Sequence, residues 1–123
     1  MLGEVARIVY HPLITKLIHR LPELLQADID ESFRYLAEHG RAAQLPDVRH
    51  RIAGDPNLTE TRNQATIDHR RYTIRSLIVF HTDDLLVATV IGDKDQWPAE
   101  RGDWYDTWVP TAHQVYELMK GQL

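Results

Sequence analysis

Two apolar segments separated by three polar residues constrain this chain more than any other feature. Tyr72–His81 reads Tyr-Thr-Ile-Arg-Ser-Leu-Ile-Val-Phe-His, and Leu85–Ile91 reads Leu-Leu-Val-Ala-Thr-Val-Ile. Both are short and rich in β-branched residues, which pack well on a pleated surface. Thr82-Asp83-Asp84 between them makes a tight polar connection, so the pair is expected to form an antiparallel hairpin, with Gly92 breaking the pattern after it. A lone hairpin is marginal in water, so the rest of the chain must add strands and a covering layer.

Val5–Tyr10 is β-branched and suits a first strand. Pro12 opens a helical pattern in which Leu13, Leu17 and Leu21, with Ile14 and Ile18 beside them, are expected on one face. Pro22 closes that helix or enters the first turn of the next, whose Leu25, Ile29, Phe33 and Leu36 recur at helical spacing before Gly40 stops it. Residues 12–39 thus read as a helical hairpin with apolar stripes that need a partner surface. Gly54-Asp55-Pro56-Asn57 is a dense turn, and Leu58–Gln64 reads as another strand. Residues 92–103 form a polar, Trp-containing loop, and Val109–Leu118 a final helix with Pro110 near its start. The order strand, helix, helix, three strands, helix predicts an α+β fold: an N-terminal helical hairpin packed on a small, mostly antiparallel sheet, with a C-terminal helix. The helices are expected on one sheet face, leaving the other free for a ligand.

A chain of 123 residues suits one domain spanning residues 1–123. No apolar run approaches the ~20 residues that a membrane span requires, and Met1–Arg7 lacks the basic-then-apolar pattern of a secretory signal. With no cysteine, disulfides and thiolate metal sites are excluded. These features fit a cytoplasmic protein. The net charge of −4 argues against tight general binding to nucleic acid, but its distribution is uneven. Residues 47–75 carry six arginines against four acids, whereas residues 76–123 carry three basic and eight acidic side chains. Arginine offers a planar fork that matches phosphate, so this central block is a candidate anion-binding region. The histidines lack the spacing of a metal site, and Asp93 with Asp95 is too common a pair to imply one, so no metal or other cofactor is expected.

Several segments, in order, resemble one family. Glu38-His39-Gly40 and Leu45-Pro46-Asp47-Val48 are similar to the end of the long helix and the link that follows it in HigB-like toxins of the RelE/ParE superfamily. Leu58-Thr59-Glu60-Thr61-Arg62 resembles that family's leucine-x-glutamate-leucine-arginine strand, with threonine for the second leucine. Ile74-Arg75 before Ser-Leu-Ile-Val-Phe resembles its arginine-then-apolar strand. Gly92-Asp93-Lys94, Trp97, Trp104-Tyr105 and Val109-Pro110 with Ala112 and Tyr116 resemble the C-terminal pattern of one branch. The resemblance spans about residues 10–120 and departs from the family in the longer segment Pro98–Asp103 and in the acidic net charge.

The resemblance implies the toxin component of a type II toxin–antitoxin system, a ribosome-dependent mRNA endonuclease. Its partners would be the ribosome, mRNA and a cognate antitoxin, often of helix-turn-helix type, through which DNA is touched only indirectly. No membrane partner is implied. A metal-free ribonuclease needs a group to stabilise phosphate, a proton acceptor and a proton donor. Arg75 is the first candidate for phosphate, and Arg62 the second; an ion pair with Asp68 or Asp84 is the alternative for Arg75, and a structural ion pair for Arg62. Lys94 is a candidate for phosphate neutralisation or base, or else a solvated loop lysine. Tyr105 matches a C-terminal tyrosine that donates a proton or stacks. Trp97 and Trp104 are candidate stacking platforms, and for all three aromatic residues packing of the loop against the sheet is the alternative. His69, Arg70 and Arg71 form a candidate RNA-backbone contact, or an uncommitted turn; His50 is a further candidate for acid–base work. If Arg75 is purely functional, Arg75→Ala leaves folding nearly intact. The competing readings on the same fold are a ParE-like DNA gyrase inhibitor and a non-catalytic protein-binding module. Only the nuclease requires Arg62, Arg75, Lys94 and Tyr105 to converge on one sheet face.

Overall fold

A computed structural model describes residues 5–123. Residues 1–4, part of the segment in which no secretory signal is read, lie outside the described residues. The fold is α+β, as expected. Strand β1 (Arg7–Tyr10) leads into helices α1 (Pro12–His19) and α2 (Glu23–His39), then into β2 (Val48–Arg49), β3 (Leu58–Ile67), β4 (Arg70–Thr82), β5 (Leu85–Asp93) and helix α3 (Trp104–Lys120). The five strands form one sheet in the order β1-β5-β4-β3-β2. β1 runs parallel to β5, and the other neighbours are antiparallel. No described helix is long and apolar enough to cross a membrane.

Local chemistry sets most boundaries. His11 caps α1 by accepting from the Leu13 N–H at 3.2 Å, with Pro12 in the first turn, where its missing N–H costs nothing. α2 ends at Gly40, which takes a positive φ of 54°. The β3–β4 hairpin turns on Asp68 and His69, both at positive φ, the mirror-image turn that matches strand twist. This tight turn lets β3 run on to Ile67 and β4 start at Arg70, beyond the expected ends. α3 begins at Trp104 rather than Val109 because Asp103 accepts from the Tyr105 N–H at 3.1 Å and so caps the chain earlier. Pro110 consequently lies inside the helix.

The sheet is covered on both faces. Leu25, Ile29, Phe33 and Leu36 of α2 pack with Ile14, Ile74, Ile78, Phe80 and Leu86 on one face. Each such side chain, fully buried, contributes about 1.5–3 kcal/mol. Trp104, Val109 and Ala112 of α3 pack with Leu58, Leu77, Val79 and Val90 on the other. The expectation of a bare second face is therefore corrected: α3 lies across β5 and β4 and reaches Leu58 and, through Tyr105, Glu60 of β3. The cause is visible in β4, where every residue from Tyr72 to Phe80 is buried, so both sides of the strand need cover. A second correction concerns α1. Ile14 and Ile18 turn inward, while Leu13 and Leu17 remain largely in solvent. The two N-terminal helices touch each other little; α1 rests on β5 and α2 on β3, so the expected hairpin is two helices side by side on the sheet.

Candidate functional site

Alternation along β3 places Leu58, Glu60 and Arg62 on the face that α3 partly covers. Register then assembles a cation cluster. Arg62 pairs with Arg75 on β4, Arg75 pairs with Gly92 on β5, and Glu60 pairs with Arg49 on β2. Glu60 is wholly buried, at 0% exposure, and Arg75 nearly so, at 3%. One Glu60 oxygen accepts from the Tyr105 hydroxyl at 2.7 Å. The other has Arg62 Nε at 3.7 Å and Arg49 Nη1 at 3.8 Å, distances that give charge attraction but no hydrogen bond. Arg75 donates to the Ile74 carbonyl at 3.0 Å. The Lys94 ammonium lies 4.6 Å from the Tyr105 ring centroid. Four of the predicted residues, Arg62, Arg75, Lys94 and Tyr105, thus meet on one sheet face.

The cluster has more donors than acceptors. The Nε groups of Arg62 and Arg75 are buried with no hydrogen-bond acceptor, and one oxygen of Glu60 has no donor. Buried polar groups are normally paired. Three guanidinium groups and an ammonium against one carboxylate leave capacity for an anion with several acceptor oxygens. Arg49, Arg62 and Lys94 reach solvent, whereas Arg75 supports the cluster from beneath. The expectation that Arg75→Ala would leave folding nearly intact is accordingly revised, because this side chain is part of the interior.

Tyr105 has a pKa pushed up to about 12, first by burial and then by its hydrogen bond to Glu60 and that carboxylate's charge, with Arg75 opposing. It therefore stays protonated at neutral pH, with its proton held in the hydrogen bond to Glu60. Because the folded pKa lies above the unfolded value of 10, the native state keeps this proton in a range where the unfolded chain has lost it. The stabilisation is complete below about pH 10 and is lost as pH rises through about 12. Glu60→Gln should move the Tyr105 titration back toward 10, read as tyrosinate absorbance against a Tyr105→Phe control. An unmoved titration would assign the shift to burial alone.

The other predicted residues are placed differently. Trp104 is 3% exposed, stacked edge-on to Tyr105 with centroids 5.2 Å apart, so its ring is a core element with no free face for a base. Gly92 makes room for it: a Cβ there would meet the Trp104 ring at 3.1 Å. Trp97 donates to the Gly102 carbonyl at 3.0 Å and packs edge-on to Trp108, which binds the loop to α3. Arg71 shares the Arg75 face but pairs with Asp95 at 3.3 Å. Arg70 pairs with Asp93 at 3.6 Å and covers the Tyr72 ring. His69 stands exposed at the hairpin turn, six positions from Arg75, or roughly 20 Å along a strand, and so does not join the cluster. His50 is held by Thr59 and the Ala43 carbonyl at 2.7 and 2.6 Å. Neither Asp68 nor Asp84 pairs with Arg75 among the described residues, and none of these residues forms a group able to hold a metal.

Glu60 and Arg49 were not singled out as site residues by sequence reasoning. Glu60 is two positions from both Leu58 and Arg62, so strand alternation alone puts it on their face. Arg49 carried no such signal, since a two-residue strand has no periodicity. No family model, curated protein or solved structure matches the chain.

Proposed function

We propose that this chain is the toxin component of a type II toxin–antitoxin system and acts in the cytoplasm as a ribosome-dependent, metal-independent mRNA endonuclease. The observation that carries the reading is the unsaturated cation cluster: the arginine Nε groups without acceptors beside a tyrosine that retains its proton. A phosphate group of RNA would meet the solvent-reaching ends of Arg49, Arg62 and Lys94, with the buried Arg75 adding its charge from beneath. Arg62, Arg49 and Lys94 would hold the phosphate as the adjacent 2′-hydroxyl attacks it and passes its proton to water or a ribosomal group, and Tyr105, leaving its hydrogen bond to Glu60, would protonate the departing 5′-oxygen as the P–O5′ bond breaks. Glu60, being fully buried, orients Tyr105 and the arginines rather than touching RNA. The ribosome would share the positioning of the strand. An antitoxin, of helix-turn-helix type by the resemblance, is the partner that would restrain the activity and carry any contact with DNA.

The burial of Arg75 and the engagement of Tyr105 by Glu60 favour a second reading, a non-catalytic protein-binding member of the same fold. Primer extension on a reporter mRNA, with and without ribosomes, separates the two. Arg62 and Lys94 are the variants of choice, since both reach solvent, and circular dichroism of each variant checks that the fold is kept. Cleavage within codons that needs ribosomes, and that falls by about 10²-fold or more in Arg62→Gln/Lys94→Gln, is the expected outcome. Intact mRNA would sink the nuclease and direct the search to inhibition of DNA gyrase supercoiling, then to protein binding alone.

A further inference from the structure

β3 has one side without a partner. β2 covers only Thr61 and Glu60. Ile67 and Arg70 close a two-residue turn, so Ile67, Ala65 and Asn63 direct their main-chain groups toward β4. Thr66 and Gln64 then direct theirs outward, and Arg62, of the same parity, donates from its N–H to the Asp47 carbonyl on that side at 2.8 Å. Beyond Arg62 the outward groups of Gln64 and Thr66 meet no main-chain partner among the described residues. Such an edge is a template for another extended segment.

Beside that edge, between α2 and β3, lies a cavity of about 400 Å³. Asp28, Glu31 and Asp47 line it, and none of the three forms an ion pair among the described residues. Arg62 reaches it too, but its Nε is turned toward Glu60, and the balance stays negative. Asn63, also in the lining, is 6% exposed. Its amide N–H groups are both used, donating to the Asp28 carbonyl at 3.2 Å and to Ser32 Oγ at 2.9 Å. These donations fix which amide atom is oxygen, and that oxygen is buried with no donor. The cavity therefore offers a buried acceptor and unpaired carboxylates beside an open strand edge.

We propose that this edge and cavity form a docking site for an extended peptide segment that carries an arginine. The segment pairs with the outward groups of Gln64 and Thr66, and its arginine enters the cavity. A guanidinium presents five donors in one plane, enough to serve the Asn63 oxygen and carboxylates together. Main-chain pairing supplies affinity, and the charged side chain supplies selection. A second copy of this chain is a poor occupant, because pairing the edge with itself brings two acidic cavities together. The site shares Arg62 with the Glu60 cluster but does not depend on that cluster's activity.

The test uses a capped peptide, Thr-Val-Thr-Arg-Thr-Val-Thr, and the same peptide with neutral citrulline in place of arginine. Binding is followed by anisotropy and by amide shifts of the ¹⁵N-labelled protein. The arginine peptide should bind about tenfold or more tightly than the citrulline peptide, the ratio for losing a charged hydrogen bond. It should shift the amides of Gln64 and Thr66. Asp28→Asn/Glu31→Gln, on the exposed side of α2, should abolish the preference. Thr66→Pro removes only an outward N–H, which edge strands tolerate, and should weaken both peptides equally. Equal affinity for the two peptides, no binding at millimolar peptide, or binding indifferent to these variants would overturn the proposal. So would dimerisation of the free chain that Thr66→Pro disrupts.

Discussion

Glu60→Ala is expected to destabilise the fold by about 3–5 kcal/mol, the cost of removing one partner from a buried charge arrangement. Arg49 and Arg62 contribute little of this. Their side chains are 52% and 32% exposed, and pairs reaching water are screened. The loss falls on Arg75, left buried diagonally across the sheet from the missing carboxylate, and on the Tyr105 hydroxyl, left without its acceptor. Glu60→Gln keeps an acceptor for Tyr105 and should cost only about 1–3 kcal/mol. Urea unfolding measures both, as a lower midpoint at unchanged slope. In a double-mutant cycle, Tyr105→Phe should add much less in the Glu60→Ala background than alone, because the shared hydrogen bond is already gone. An alanine variant losing under about 1 kcal/mol would mean that Arg75 finds other compensation.

Trp104→Ala should cost a similar amount, about 3–5 kcal/mol, through the cavity left between α3 and the sheet. Trp104 fills the space over Gly92 and braces Tyr105 edge-on. Its removal is expected to loosen the Tyr105–Glu60 hydrogen bond as well as the core. The two effects separate by measurement. Unfolding midpoint reports the cavity, and the Tyr105 titration, falling from about 12 toward 10, reports the loss of its surroundings. A destabilised protein whose Tyr105 still titrates near 12 would confine Trp104 to packing.

Much of the architecture was legible in the order of residues. The apolar runs around Thr82-Asp83-Asp84 became β4 and β5, and Leu25, Ile29, Phe33 and Leu36 became the buried stripe of α2. Both readings rest on local periodicity, which needs no knowledge of distant contacts. The boundaries were less legible where capping decided them, as at Asp103, whose side chain starts α3 a turn before the apolar pattern becomes regular.

Local periodicity by itself determined four of the five strands, the long helix and the α+β class, and alternation along β3 is enough to put Glu60, Arg62 and Leu58 on one side of it. Only the tertiary structure decided which sheet faces were covered, because the unbroken burial from Tyr72 to Phe80 is answered by a helix more than twenty residues later. It also decided that Arg75 lies beneath the site rather than at its surface, and that Arg49 joins it. Those outcomes depend on strand register and on the packing of Trp104 against Gly92. Register and packing couple residues far apart in the chain, and no spacing within a single segment encodes them.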